Sequence, residues 1–219
     1  MNKKSARRAR RQREKKAGET RTKLKRVLFF LLAVFGVWLF IFATTKYWDG
    51  KTKLPVAFYS EDSVSLVVFD PVLEKTTAVL IPGNTEVQVA RELGTWKLGS
   101  VAKLGENENL EGRLLTETLV NYFGFPVYVW GETSFGESGL PNNFAQLLLT
   151  KNSNLGTGDK LKLTLFSLGV RDFKKESINL ASTRYLQEKK NFKGEEGLFL
   201  ESEILGGVRE FFFEPTTGS

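Results

Sequence analysis

The chain has 219 residues, 41% of them apolar, enough for one packed domain and an appendage. It contains no cysteine and no histidine, which excludes disulfides, thiolate zinc sites, thiol nucleophiles and the usual general base near neutral pH. Chemistry is left to carboxylates, Lys, Arg, hydroxyls or an oxygen-ligated cation such as magnesium.

The formal charge of +7 is unevenly placed. Residues 1–26 hold 13 Lys/Arg against Glu14 and Glu19, a balance of +11, while the other 19 cations and 23 carboxylates leave residues 27–219 at −4. The first 26 residues, with RRARRQREKK at their centre, have no apolar face and are expected to form a disordered cytoplasmic tail. Such a run can bind RNA or anionic lipid. Its place directly before an apolar stretch favours topology and lipid headgroups, and disfavours nucleic acid as a partner.

Residues 27–45 read VLFFLLAVFGVWLFIFATT, 19 residues without a charge, 13 of them Leu, Ile, Val or Phe. A helix of that length reaches about 29 Å, close to the roughly 30 Å hydrocarbon layer, so one transmembrane helix is expected here. The Ala43-Thr44-Thr45 ending fits a signal-peptidase site poorly, and a buried core helix would carry a polar stripe that this segment lacks. The charge difference across the segment orients it with the amino terminus inside and the remainder extracytoplasmic. Lys46, Tyr47 and Trp48 would then lie at the outer headgroups, opening a linker over residues 46–54.

The exported domain is expected over residues 55–214. Three stretches have strand character: Pro55 to Ser60, Ser63 to Phe69 and Thr76 to Ile81, the last two joined as a hairpin through Asp70-Pro71-Val72-Leu73-Glu74-Lys75. A short strand over Glu86 to Val89 precedes Gly94 and a loop. From Asn107 to Phe123 apolar residues recur at helical spacing, with Gly124 suited to the carboxyl-terminal cap. Phe125 to Trp130 reads as a strand, Asn142 to Leu149 as a helix and residues 150–159 as a loop. Lys160 to Val170 fits either period: Leu161, Leu163 and Leu165 alternate, whereas Leu161, Leu165 and Leu168 share one helical face. Ser177 to Leu180 reads as a strand and Ser202 to Phe213 as a final helix. The fold class is α/β, a central mixed sheet flanked by helices and preceded by the transmembrane helix.

The order of short motifs resembles the opening half of a LytR-CpsA-Psr domain. The run Glu61-Asp62-Ser63 through Phe69-Asp70-Pro71 is similar to the family's Asp-Thr-Ile strand. Ile81-Pro82-Gly83-Asn84-Thr85 is similar to its Ile-Pro-Arg-Asp-Thr, Lys97-Leu98-Gly99-Ser100 to its Lys-Ile-Asn segment, and the helix ending near Gly124 to one closing on Leu-Gly-Ile-Pro. The resemblance covers roughly residues 56–130 and implies a domain that binds a polyprenyl-pyrophosphate-linked glycan and transfers it to the cell wall. In the family, arginines hold the pyrophosphate, acidic residues hold magnesium and an apolar pocket takes the lipid. By this resemblance Asp62 falls on a metal ligand and Lys97 on the family's Lys. Gly83 and Asn84 replace its Arg and Asp, and its later Arg-x-Arg stretch has no counterpart.

Two readings of the ligand site follow. In one the domain is a non-catalytic relative that binds a polyprenyl-phosphate-linked glycan, a wall polymer or an envelope protein. In the other it is a working transferase in which Asp62 holds magnesium and Lys97, with Arg91 or Arg113, replaces the clamp. A third reading is a structural scaffold of envelope machinery. The candidate ligand-binding residues are therefore Asp62, Asn84, Lys97, Arg91 and Arg113, each weighed against a plain reading as solvated charge or turn.

Overall fold

Alternating apolar side chains set the two faces of a central sheet. In a computed structural model describing residues 26, 28–40, 43–136, 138–140, 146–149, 152–183, 186–190 and 196–200, the chain divides into two units, Met1–Thr44 and Thr45–Ser219. In the first unit residues 28–40 are helical (α1), and Phe29, Phe30, Leu32 and Trp38 are each more than half exposed. Residues 27, 41 and 42 of the expected span, and the whole basic stretch before Arg26, lie outside the described residues. Among the described residues no helix is long and apolar enough to cross a membrane.

The second unit is α/β, as expected, with a five-stranded mixed sheet in the order β6-β1-β2-β3-β7. Strands β1 (Leu54–Tyr59), β2 (Ser63–Asp70) and β3 (Lys75–Pro82) form an antiparallel meander close to the expected bounds. The β2–β3 hairpin closes at Asp70 and Lys75, and Asp70 Oδ1 accepts the Val72 and Leu73 N–H groups at 3.0 and 3.1 Å. Its other oxygen pairs with Lys53 at 2.9 Å. Strand β6 (Val129–Glu132) adds parallel to β1, and β7 (Lys175–Asn179) parallel to β3. Only the end of the expected Phe125–Trp130 strand is extended pairing; Pro126 cannot donate to a ladder.

Because side chains alternate, Val56, Phe58, Val67 and Phe69 face one way while Ala57, Tyr59, Leu66 and Val68 face the other. The second set packs against α2 (Leu98–Asn107) and α3 (Arg113–Phe123). The first packs against Trp48, Leu147 of α4 (Gln146–Leu149) and Leu163 of α5 (Thr157–Gly169). A smaller sheet runs β5-β4-β9-β8, built from β4 (Thr85–Gln88), β5 (Thr95–Lys97), β8 (Leu186–Lys190) and β9 (Glu196–Leu200).

Four expectations need correction. The helix expected over residues 107–123 starts at Arg113, because the chain turns a corner after Asn107. Gly105 O accepts both the Leu110 and Glu111 N–H groups, and Asn109 and Glu111 take positive φ. A Cβ on Gly105 would sit 2.0 Å from Glu111 O, so this corner requires glycine. The separate helix α2 before it, and strands β5, β8 and β9, were not anticipated. Residues 160–169 are helical, and α5 begins at Thr157, inside the expected loop. Residues 46–54 are docked on the domain: Trp48 is 2% exposed, and Asp159 accepts the N–H groups of Lys46, Tyr47 and Trp48 at 2.9–3.2 Å. Residues 142–145 and the helix expected over 202–213 lie outside the described residues.

Candidate functional site

Three loops meet at one corner of the domain. The first is the turn between β1 and β2, closed by Ser60 N–H donating to Ser63 O at 2.9 Å and carrying Glu61 and Asp62 exposed at its tip. The second is the Gly83-Asn84 turn joining β3 to β4, and the third is the step from Lys97 at the end of β5 into α2. Gly83 N–H donates to Asp62 O at 2.7 Å, and Gly99 N–H donates to Gly83 O at 2.9 Å. The structure thus brings Asp62, Asn84 and Lys97 to one place, the place where the motif order puts them.

Backbone fills this corner where side chains would be needed for chemistry. A Cβ on Gly83 would sit 2.6 Å from Asp62 O, and one on Gly99 would sit 2.7 Å from Glu61 O. The Gly99 N–H, in the first turn of α2, is taken up by Gly83 O, so it is not free to hold an anion at the positive end of that helix. Lys97 is the cation of the three-residue set. Asn84 is neutral, and among the described residues no three Asp or Glu side chains converge into a metal-binding group. Of the carboxylates at this corner, Glu61 and Asp62 stand exposed at the tip of the β1–β2 turn.

Beside the corner lies a cleft of about 380 Å³ lined by Tyr59, Glu61, Lys103, Glu106, Glu132 and Asn152 among others. Three carboxylates against one ammonium make its field negative. The Tyr59 phenol registers that field: burial first, then Glu132, Glu106 and Glu111, push its pKa up to about 12. Asn152 Nδ2 donates to Glu132 Oε2 at 2.6 Å, which fixes that carboxylate at the rim.

Arg91 and Arg113 are not part of this corner. Arg91 sits in a 3-10 turn at the far end of the β4–β5 hairpin from Lys97, and Arg113 opens α3 beyond the carboxyl end of α2. The length of α2 alone, ten residues, separates its two ends by about 15 Å. Both guanidiniums are held by Glu117: Arg91 makes a two-pronged contact at 2.7 and 2.9 Å, and Arg113 Nε bonds at 2.8 Å. The Arg91 hydrogen bond, followed by that of Arg113, holds the Glu117 carboxyl below its usual pKa despite partial burial. This trio borders an open groove of about 860 Å³ floored by Leu110, Val120, Tyr128 and Trp130. Sequence reasoning missed Glu117 and Tyr59. The Arg113–Glu117 spacing of four on a helix was the available signal for the first, and Tyr59 carried none beyond its place in a strand.

No family model matches the sequence, and no curated protein matches it. Among solved structures, TagV of Bacillus subtilis superposes with a TM-score of 0.54 at 13% identity, over 75% of this chain and 97% of that one. The transcriptional regulator yvhJ from Bacillus subtilis superposes with a TM-score of 0.50 at 14% identity over the same shares. YwtF (TagT), a LytR-CPS2A-psr family protein solved with octaprenyl pyrophosphate lipid bound, gives 0.44 at 14% identity, over 76% of this chain and 92% of that one. The structural neighbours are LytR-CpsA-Psr proteins, and at these identities the likeness is one of fold.

Proposed function

We propose that the chain is a membrane-anchored cell-envelope protein whose LytR-CpsA-Psr-type domain binds a wall polymer, or its polyprenyl-phosphate-linked precursor, without transferring it. One observation carries this reading. The corner that the motif order marks as the ligand site is closed by backbone at Gly83 and Gly99, and it offers Lys97 as its cation.

Transfer of a glycan phosphate from a polyprenyl pyrophosphate breaks the phosphoanhydride bond and expels polyprenyl phosphate, a leaving group on which negative charge develops. Catalysis requires cations or a metal aimed at that charge as it develops. Here Arg91 and Arg113 are committed to Glu117, and the neighbouring cleft carries Glu61, Glu106 and Glu132. Uncharged hydroxyls and amides of a polymer suit such a surface better than a pyrophosphate does.

The test uses the purified full chain in detergent with a polyprenyl-pyrophosphate-linked glycan, isolated wall polymer, acceptor cell wall and magnesium. Saturable binding of polymer or precursor without release of polyprenyl phosphate is the expected result. Glycan transfer abolished by Asp62→Ala would establish the transferase instead, and absence of binding to every envelope polymer and precursor would remove the ligand from the proposal.

A further inference from the structure

Helix α5 is apolar on two faces. Leu163 is fully buried, and Phe166 packs edge-on against Trp48 with ring centroids 5.5 Å apart, so one face belongs to the core. On the other face Leu165 is 60% exposed and Leu168 71% exposed, with Leu161 half-buried beside them. Phe173, in the turn that follows, is 73% exposed. Each such side chain is stabilised on leaving water, a drive toward some apolar neighbour.

The chain path says which neighbour. Asp159, in the first turn of α5, binds the N–H groups of Lys46, Tyr47 and Trp48, and Lys162 Nζ donates to Trp48 O at 3.1 Å. Residues 46–48, which follow the apolar stretch in sequence, are therefore held on α5. Leu165 and Leu168 lie only about 9 and 14 Å along the helix from Asp159. Lys160 and Lys162 flank Leu161 on the helix, and Arg171 follows its last turn. Of the nearby carboxylates, Asp159 is buried under the amides of Lys46, Tyr47, Trp48 and Gly156, Asp172 pairs with Lys175, and Asp49 binds its own turn. Exposed leucines rimmed by cations are the pattern of a helix lying in an anionic lipid surface.

We propose that the Leu161, Leu165 and Leu168 face of α5, with Phe173, rests in the headgroup layer of the leaflet from which the anchor emerges, so that the domain lies on an anionic membrane. The inference rests on residues 27–45 spanning that membrane.

The chain has no cysteine, so single-cysteine variants can be labelled cleanly with an environment-sensitive fluorophore. The full chain carrying Leu165→Cys, Leu168→Cys, Asn121→Cys or Phe35→Cys is reconstituted into mixed phosphatidylcholine and phosphatidylglycerol vesicles containing nitroxide lipids. Asn121 is exposed on α3, across the sheet from α5. Expected are loss of most fluorescence at positions 165 and 168 with a shallow nitroxide, at position 35 with a deep one, and none at position 121. Quenching at 35 with water-exposed, unquenched labels at 165 and 168 overturns the proposal and leaves the anchor standing. No quenching at 35 overturns the anchor, and the proposal with it. Labels at 165 and 168 that are dry but unquenched show a second copy of the chain on this face instead, which also overturns it.

Discussion

At Gly83 the backbone of one turn touches the backbone of another, and a single methyl group tests the contact. Gly83→Ala places a Cβ against Asp62 O at 2.6 Å, against main chain that cannot swing aside as a side chain could. The expected cost is about 1–3 kcal/mol, read as a fall in thermal midpoint of several degrees, and Gly83→Arg should cost at least as much. An unchanged midpoint for both variants would mean the corner is open enough for a phosphate clamp. Tyr59 offers a second test at this scale. Its phenol ionises near 10 in the unfolded chain and near about 12 in the folded domain. The stability it lends is whole below pH 10 and drains away as pH rises through the folded value. Tyr59→Phe, with no proton to lose, should keep its urea midpoint further into alkali than the parent, by about 2 kcal/mol at most.

Elements are joined by two carboxylates, each with a distinct signature. Asp159 collects three amide donors from residues 46–48, so Asp159→Ala leaves buried N–H groups unpaired and should cost about 3 kcal/mol. Asp159→Asn, which keeps an acceptor, should fall between the two in thermal midpoint, and rapid proteolysis at Lys46 and Lys51 should accompany the loss in Ala. Glu117 ties the β4–β5 turn to α3. Its folded pKa is depressed, so the bridge contributes in full above the ordinary glutamate pKa of about 4.3 and is lost as pH falls through the lower folded value. Glu117→Gln should therefore lower stability slightly at neutral pH, by under about 1 kcal/mol, with the difference from the parent vanishing in acid.

The legibility of these elements in the sequence followed their packing. Strands β1 to β3 are nearly continuous apolar runs buried on both faces, and Pro71 marks their hairpin, so they read plainly. Helix α2 hid behind Gly99 and Gly105, although Leu98, Val101, Ala102 and Gly105 are buried at helical spacing. Both glycines are there for close backbone approach, which no propensity records. Strand β5 is exposed at all three residues, so it has no alternation to detect. Helix α5 gave two periods because it has two apolar faces. Motif order points to three turns, at Asp62, Asn84 and Lys97, whose backbones meet at Gly83. It could not place Arg91, because the partner that claims it lies 26 residues away on another helix.

For the whole molecule the decisive quantity is the charge difference across residues 27–45. A balance of +11 on one side and a mildly acidic remainder on the other favours retaining the amino terminus at the synthesising face of a membrane. Orientation and anchoring are separable from the domain's ligand, since they rest on the first 45 residues and the ligand site on the rest. Ser5→Cys and Ser182→Cys, the latter at an exposed position of the domain, should respond oppositely to a membrane-impermeant maleimide on intact spheroplasts: position 182 labelled at once, position 5 only after lysis. Replacing the Lys and Arg of residues 3–16 by Gln should weaken that preference without altering the domain's thermal midpoint. Labelling of position 5 on intact cells of the parent chain would reverse the orientation and remove the domain from the wall side of the membrane.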